Sequence, residues 1–247
     1  MENVKAKSME NELHLSQHIS KRFNQELEQV RNQVLKMGGL VEQQVSNGLI
    51  ALLEADQVLA LEVVETDAKV NAMEVEIDET CTEILARRQP AASDLRLMVS
   101  IIKTITDLER IGDEAEKLGK NALKLSPEQS SAKQFVELRH LGDSVKKMLN
   151  RSLNAYARMN VEEALDIIQS DRLINEEFDN LSRLLVLKMM EDPREIKNAL
   201  RISWCARALE RIGDHSKNIC EYIVYLVKGK DVRHTSLEDI RKSLLAE

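Results

Sequence analysis

Aromatic residues make up only 3% of this 247-residue chain, with one tryptophan, three tyrosines and three phenylalanines. Three prolines and eight glycines leave few turn signals. A β-sandwich or barrel needs many short strands, aromatic or β-branched blocks and frequent turns, so this scarcity argues against a β fold. Three cysteines, Cys81, Cys205 and Cys220, are an odd number without metal-ligand or disulfide spacing, and each falls in an apolar helical register. They read as buried small hydrophobes in a reducing compartment. No apolar run approaches the ~18 residues of a membrane span, the densest stretch being Tyr222–Val227. Met1–Gln17 is polar and acidic, without a signal-peptide core. A net charge of −7, with no dense Lys/Arg stripe, argues against direct nucleic-acid binding. The expected location is the cytoplasm, with a membrane reached only through protein partners.

What is present is helical periodicity. Apolar residues recur at three and four from Phe23 through Leu27, Val30, Val34, Val41 and Val45 to Leu52. A second helix runs from about Asp56 to Arg88 and stops ahead of Pro90, which pushes the preceding residue out of the helical region. A third begins at Ser93, as its cap, and carries Met98, Ile102, Ile105, Leu108, Ile111 and Leu118 to about Leu125. Ser126–Ser131 reads as a linker. Three more helices follow: about Lys133–Met159, Val161–Glu191, and Pro193–Lys228 with Asp192 as cap.

The halves are copies. Leu108-Glu109-Arg110-Ile111-Gly112-Asp113 recurs unchanged 101 residues on, as Leu209-Glu210-Arg211-Ile212-Gly213-Asp214. Asp67 and Asn71 match Asp171 and Asn175, and Gly38 matches Gly142, at an offset of 104. The fold class is therefore all-α, two tandem three-helix bundles with internal pseudo-two-fold symmetry. The expected organisation is a polar segment 1–20, a first repeat 21–126, a linker 127–132, a second repeat 133–228 and a tail 229–247.

The duplicated motif carries two carboxylates four residues apart, Glu109 with Asp113 and Glu210 with Asp214, each pair on one helix face beside the apolar stripe. The second helix has Asp67, Asn71, Glu74 and Asp78 on one flank, and the fifth has Asp171, Asn175 and Asp179 on the equivalent flank. If these flanks converge, the carboxylates repel one another, and a cation relieves the repulsion. Oxygen-rich sets of this kind suit Mg²⁺, Mn²⁺, Ca²⁺ or iron. A solvated acidic face is the competing reading, with Arg110 and Arg211 as ordinary ion-pair partners. Gly112 and Gly213 cost a helix interior about 1 kcal/mol each against alanine, so their presence points to close helix approach or room for a ligand.

Glu137-Leu138-Arg139-His140 is a lone Glu-x-x-His, which a di-iron bundle would need twice. His14 and His18 lack a third ligand, and His215, beside Asp214, is matched by Glu114 in the first half and reads as incidental. No nucleophile triad and no Gly-rich phosphate loop is present. Tyr222 and Tyr225 are candidate partner-binding aromatics.

The twice-repeated Leu-Glu-Arg-Ile-Gly-Asp, together with Arg88-Gln89-Pro90-Ala91-Ala92-Ser93-Asp94-Leu95-Arg96, Met37-Gly38-Gly39-Leu40-Val41-Glu42 and Met190-Glu191-Asp192-Pro193, resembles the PhoU family over roughly residues 16–235. The resemblance implies a non-enzymatic negative regulator of phosphate uptake and phosphate-starvation signalling. It would be an adaptor between the ATPase subunit of a phosphate ABC transporter and the sensor histidine kinase of a two-component system, acting as a homodimer. It also implies metal binding (Mg, Mn, Zn or Fe) through Glu-x-x-x-Asp motifs, which nominates Glu109, Asp113, Glu210, Asp214, Glu74 and Asp78. Phe178 and Ser182 stand where the second half should repeat Glu74 and Asp78, and Asp179 is the substitute. A metal-dependent helical-bundle enzyme and a plain helical scaffold are the alternatives.

Overall fold

The computed structural model describes residues 21–124, 136–233 and 235. The six helices among them are α1 Lys21–Glu54, α2 Gln57–Arg88, α3 Ala92–Ala122, α4 Val136–Arg158, α5 Val161–Glu191 and α6 Ile196–Lys228. A 3₁₀ turn at Pro193–Glu195 precedes α6, and no strand occurs among the described residues. The segment 1–20, the linker 127–132, His14, His18 and the tail beyond Thr235 lie outside the described residues.

The duplication extends to turn geometry. Ala55, between α1 and α2, is left-handed at φ 54°, and its counterpart Met159, between α4 and α5, is left-handed at φ 50°. The next residue caps each following helix. Asp56 accepts from the Val58 and Leu59 amides at 3.0 Å, and Asn160 accepts from the Glu163 amide at 3.1 Å. The α2 helix stops at Arg88, where expected ahead of Pro90, although Gln89 is left-handed at φ 46° rather than extended. Two boundaries differ from the sequence pattern. The cap position of α3 is Ala91, without a side-chain bond, so Ser93 lies inside the first turn. Asp192 does cap, accepting from the Arg194 amide at 3.0 Å, but Pro193 opens the 3₁₀ turn rather than the α-helix. The α3 helix ends at Ala122, short of Leu125.

Within each half the three helices run antiparallel, and α3 and α6 pack against each other between the halves. A contiguous apolar core runs through both, built from the periodic residues: Val30, Val34, Val41 and Val45 of α1, Leu97, Ile101, Leu108 and Ile111 of α3, and Ile202, Leu209, Ile212 and Ile219 of α6. Cys81, Cys205 and Cys220 are buried free thiols, and desolvation pushes Cys81 and Cys205 up to about 12. They are core residues, not ligands.

The halves also meet at α1 and α4, through reciprocal small-for-large contacts. A Cβ on Gly142 would stand 2.5 Å from Leu49 Cδ2, and one on Gly38 would stand 2.8 Å from Leu153 Cδ2. Gly38 and Leu49 are the counterparts of Gly142 and Leu153, so each bundle sets a leucine over the other's glycine.

No helix of the described residues is long and apolar enough to cross a membrane.

Candidate functional site: two unequal acidic clusters

The α2–α3 packing brings the acidic flank of α2 to the carboxylate pair on α3. Gly112 is the close-approach point: a Cβ there would stand 3.2 Å from Gln44 Oε1, 3.2 Å from Val70 Cγ1 and 3.5 Å from Asp67 Oδ1. Burial raises the Glu109 carboxyl above its ordinary value, and the neighbouring charges of Asp113 and Glu74 add to it. Asp67 is raised as well, first by burial and then by Glu116 and Asp113. Asp67 is buried; its Oδ2 accepts from Asn71 Nδ2 at 3.2 Å, and its Oδ1 has no hydrogen-bond partner among the described residues. Glu74 accepts from Thr106 Oγ1 at 3.2 Å. Among the described residues the only cation beside Glu109 in an ion pair is Arg110, at a loose 3.8 Å.

The second cluster is built alike and neutralised differently. Glu210 is raised by burial and by Asp214, and Asp214 by burial and by Asp171. Asp171 is the counterpart of Asp67; its Oδ1 and Glu210 Oε2 are buried without a partner among the described residues. Two cations are built in: Arg207 Nη1 donates to Glu210 Oε1 at 3.0 Å, and Lys217 Nζ donates to Asp171 Oδ2 at 3.1 Å. Their counterparts in the first half are Thr106 and Glu116. Where the first cluster has Glu74, the second has Phe178, whose ring lies under the Arg207 guanidinium at 5.7 Å. The first cluster is the more strongly anionic of the two.

Not all seven nominated residues converge. Asp78 is exposed, and the group it perturbs is the Cys81 thiol. Asp179 is also exposed. The buried carboxylates that stand with the duplicated pairs are Asp67 and Asp171. The signal for them was an acid at a core register: Asp67 falls in the stripe Ala60, Val63, Val70, Ile77, and Asp171 in the stripe Ala164, Ile167, Ile174, Leu181. Glu137 and His140 are both exposed, consistent with a chance motif. Among the described residues no three Asp, Glu, His or Cys side chains are grouped so as to hold a metal ion.

Arg211 does not serve its neighbour Glu210. It crosses to α3 and meets Glu114 at 2.9 Å, where Lys117 also donates at 2.8 Å. His215 is not incidental: its Nδ1 lies 2.6 Å from Asp107 Oδ1, which Asn218 Nδ2 also reaches at 3.0 Å. Tyr222 and Tyr225 are not free either, since Lys103 of α3 lies over both rings at 5.5 and 5.7 Å. A cleft of about 700 Å³ beside the second cluster is lined by Arg207, Arg211, Asp214, His215, Lys217 and Arg233 among others. Each of its Lys and Arg side chains is already paired with a carboxylate, Arg233 with Asp231.

A family model described as the PhoU domain matches residues 34–122 and 138–223. The chain is 52% identical over 230 residues to the phosphate-specific transport system accessory protein PhoU homolog of Pseudomonas putida, covering 93% of this chain and 90% of that one. It is 47% identical over 232 residues to the phosphate-specific transport system accessory protein PhoU of Escherichia coli K12, covering 94% and 96%. The crystal structure of PhoU from Pseudomonas aeruginosa superposes with a TM-score of 0.82 at 52% identity, covering 84% of this chain and all of that one. That of the phosphate transport system regulatory protein PhoU from Streptococcus pneumoniae superposes at 0.78 and 32% identity, covering 85% and 99%. With the family model matched twice, once on each half, and relatives similar over nearly their whole length, this chain belongs to the PhoU family.

Proposed function

We propose that this protein is a negative regulator of phosphate uptake and of phosphate-starvation signalling. It is an accessory protein and not an enzyme, as its relatives are named. The observation that carries the reading is identity near one half across more than nine-tenths of the chain with proteins bearing that name. In this reading it works in the cytoplasm, as a homodimer, between the ATPase subunit of a phosphate ABC transporter and the sensor histidine kinase of a two-component system. The six long helices offer broad side surfaces of the kind an adaptor needs.

A cation at the acidic clusters belongs to the same proposal. Glu109 and Asp113, with Asp67 and Glu74, would hold it in the first half, and Glu210 and Asp214, with Asp171, in the second. The chemistry of the donors supports it: they are all oxygen, they include the orphaned Oδ1 atoms of Asp67 and Asp171, and burial with neighbouring like charge raises Glu109, Asp67, Glu210 and Asp214. Such all-oxygen donors suit Mg²⁺, Mn²⁺, Ca²⁺ or iron better than Zn²⁺, whose sites are built chiefly from Cys and His. Bound there, the ion would neutralise the clusters and tie α2 to α3 or α5 to α6.

The test is a phosphate-starvation reporter in the source bacterium grown in excess phosphate. Deleting the gene is expected to switch the reporter on, and a plasmid copy to silence it. A reporter that stays silent without the gene, in a strain with no second copy, would overturn the regulatory reading.

A further inference from the structure

The two halves part ways where α6 begins. The face by which α6 packs on α3 carries Tyr225, Tyr222, Asn218, His215 and Arg211, and its contacts run antiparallel: Tyr222 meets Lys103, Asn218 meets Asp107, and Arg211 meets Glu114. Continued at helical spacing, the face passes through Trp204, seven residues before Arg211, and on to Leu200 and Ile196. In that register Leu200 and Ile196 fall beyond Ala122, where α3 stops. At the opposite end the register is filled: Gly229 lies against Arg96, and Tyr222 and Tyr225 cover Lys103.

The seam beyond α3 is apolar. Trp204, the only tryptophan in the chain, is 59% exposed, and Ile196 and Leu200 are exposed with it at i and i+4. On α5, which packs alongside, Val186, Leu187 and Met190 are exposed, Met190 by 76%. The first half keeps part of this pattern and loses the rest. Leu95 and Val99 stand at the positions of Ile196 and Leu200, with Val99 half-buried. Lys103 replaces Trp204, and Thr82, Glu83 and Ala86 replace the three apolar residues of α5. The exposed apolar residues on both helix ends are thus particular to the second bundle. Cations share these faces in an acidic protein: at helical spacing Arg183 falls among Val186, Leu187 and Met190, Lys197 and Arg201 fall beside Leu200 and Trp204, and none of the three makes an ion pair among the described residues.

We propose that this seam docks an acidic amphipathic helix of a partner protein, lying along α6 where α3 leaves off. Continuity with the α3–α6 interface argues for a helix, because the side-chain spacing that receives α3 simply runs on. Arg183, Lys197 and Arg201 argue for acids beside its apolar stripe. The chain's own residues 236–247 are a poorer complement. They carry Arg241 and Lys242 as well as Glu238, Asp239 and Glu247, so part of their charge repels the cations of the seam. The inference does not depend on which signalling proteins the regulatory reading names.

Trp204 reports on the seam directly, since no other indole contributes. The probe is a designed three-heptad helical peptide with Leu at the seam positions and Glu on both flanks, titrated into the full-length protein. The expected result is a saturable blue shift of the Trp204 emission, absent when the flanking Glu are replaced by Lys. Binding should weaken about tenfold in Leu200→Ser and in the pair Arg183→Glu with Lys197→Glu, all exposed positions that spare the fold. No shift with either peptide, or equal binding of both, would overturn the proposal. So would a shift with phosphatidylglycerol vesicles in place of the acidic peptide, a shift on raising protein concentration alone, or an indole already shielded from acrylamide in the free protein. These outcomes point respectively to a bilayer, a second copy of the chain, and the chain's own residues.

Discussion

Asp107 of α3 and His215 of α6 meet at 2.6 Å across the boundary between the two bundles. Both are largely buried, and Asn218 donates to the same carboxylate oxygen at 3.0 Å. The pseudo-symmetry is broken here for a chemical reason. His215 occupies the place of Glu114, whose partner is Arg211; the mirrored partner of His215 would be Arg110, a guanidinium with no acceptor to offer. Asp107, matched by Ala208 in the other half, supplies the acceptor instead. Asp107→Ala is therefore expected to lower stability by about 1–3 kcal/mol, because it strips a buried acceptor from two donors. Urea unfolding checks it, and His215→Ala should cost less, since Asn218 still reaches Asp107.

Cation binding should distinguish the halves. Among the described residues Glu109 has no cation tighter than the 3.8 Å contact of Arg110 and Asp67 has none, whereas Arg207 and Lys217 already serve Glu210 and Asp171 in the second cluster. Millimolar Mg²⁺ or Mn²⁺ added to chelator-treated protein is expected to raise the Tm. Most of that rise should disappear in Glu109→Gln with Asp113→Asn, and less of it in Glu210→Gln with Asp214→Asn. Equal loss in both pairs would contradict the asymmetry.

The same clusters set a pH dependence with a definite sign. Glu109, Asp67, Glu210 and Asp214 have folded-state values raised above the ordinary 4.5 for Glu and 3.8 for Asp. Their stabilising contribution is complete below the unfolded values and is lost as pH rises through the folded ones, so at pH 7 they weigh against folding. Glu26, lowered by its hydrogen bond from Arg88, and Asp231, lowered to about 2 by Arg233, act in the opposite sense and lose their contribution as pH falls. In chelator, Glu109→Gln should be more stable than the parent at pH 7, and the difference should shrink as pH falls toward the ordinary Glu value. Unfolding curves at several pH values measure this; a variant less stable at pH 7 would refute it.

The helical glycines should separate by what faces them. A Cβ on Gly39 would meet nothing within 4 Å, so Gly39→Ala is expected to stabilise by about 0.5–1 kcal/mol through helix propensity. Gly142→Ala would put its methyl 2.5 Å from the buried Leu49 side chain, and should destabilise by about 1–3 kcal/mol despite the same propensity gain. Thermal unfolding of the two variants gives opposite signs if the α1–α4 contact holds in solution.

Much of this protein is determined by the sequence alone. The spacing of apolar residues set helices and stripes, because a 3.6-residue period has one reading over thirty residues. The repeated Leu-Glu-Arg-Ile-Gly-Asp set the duplication, and Asp56 with Pro90 set the ends of α2. Only the tertiary structure decided which acids matter. Asp67 and Asp78 share a flank in sequence, yet packing against Gly112 buries the first while the second stays in water. In sequence His215 reads as incidental, Arg211 as an ordinary ion-pair partner and Tyr222 and Tyr225 as candidates for binding another protein, because their partners lie on α3, about a hundred residues away in the chain. Long-range pairing leaves no mark in local periodicity, and where α3 stops decides which part of α6 stays open.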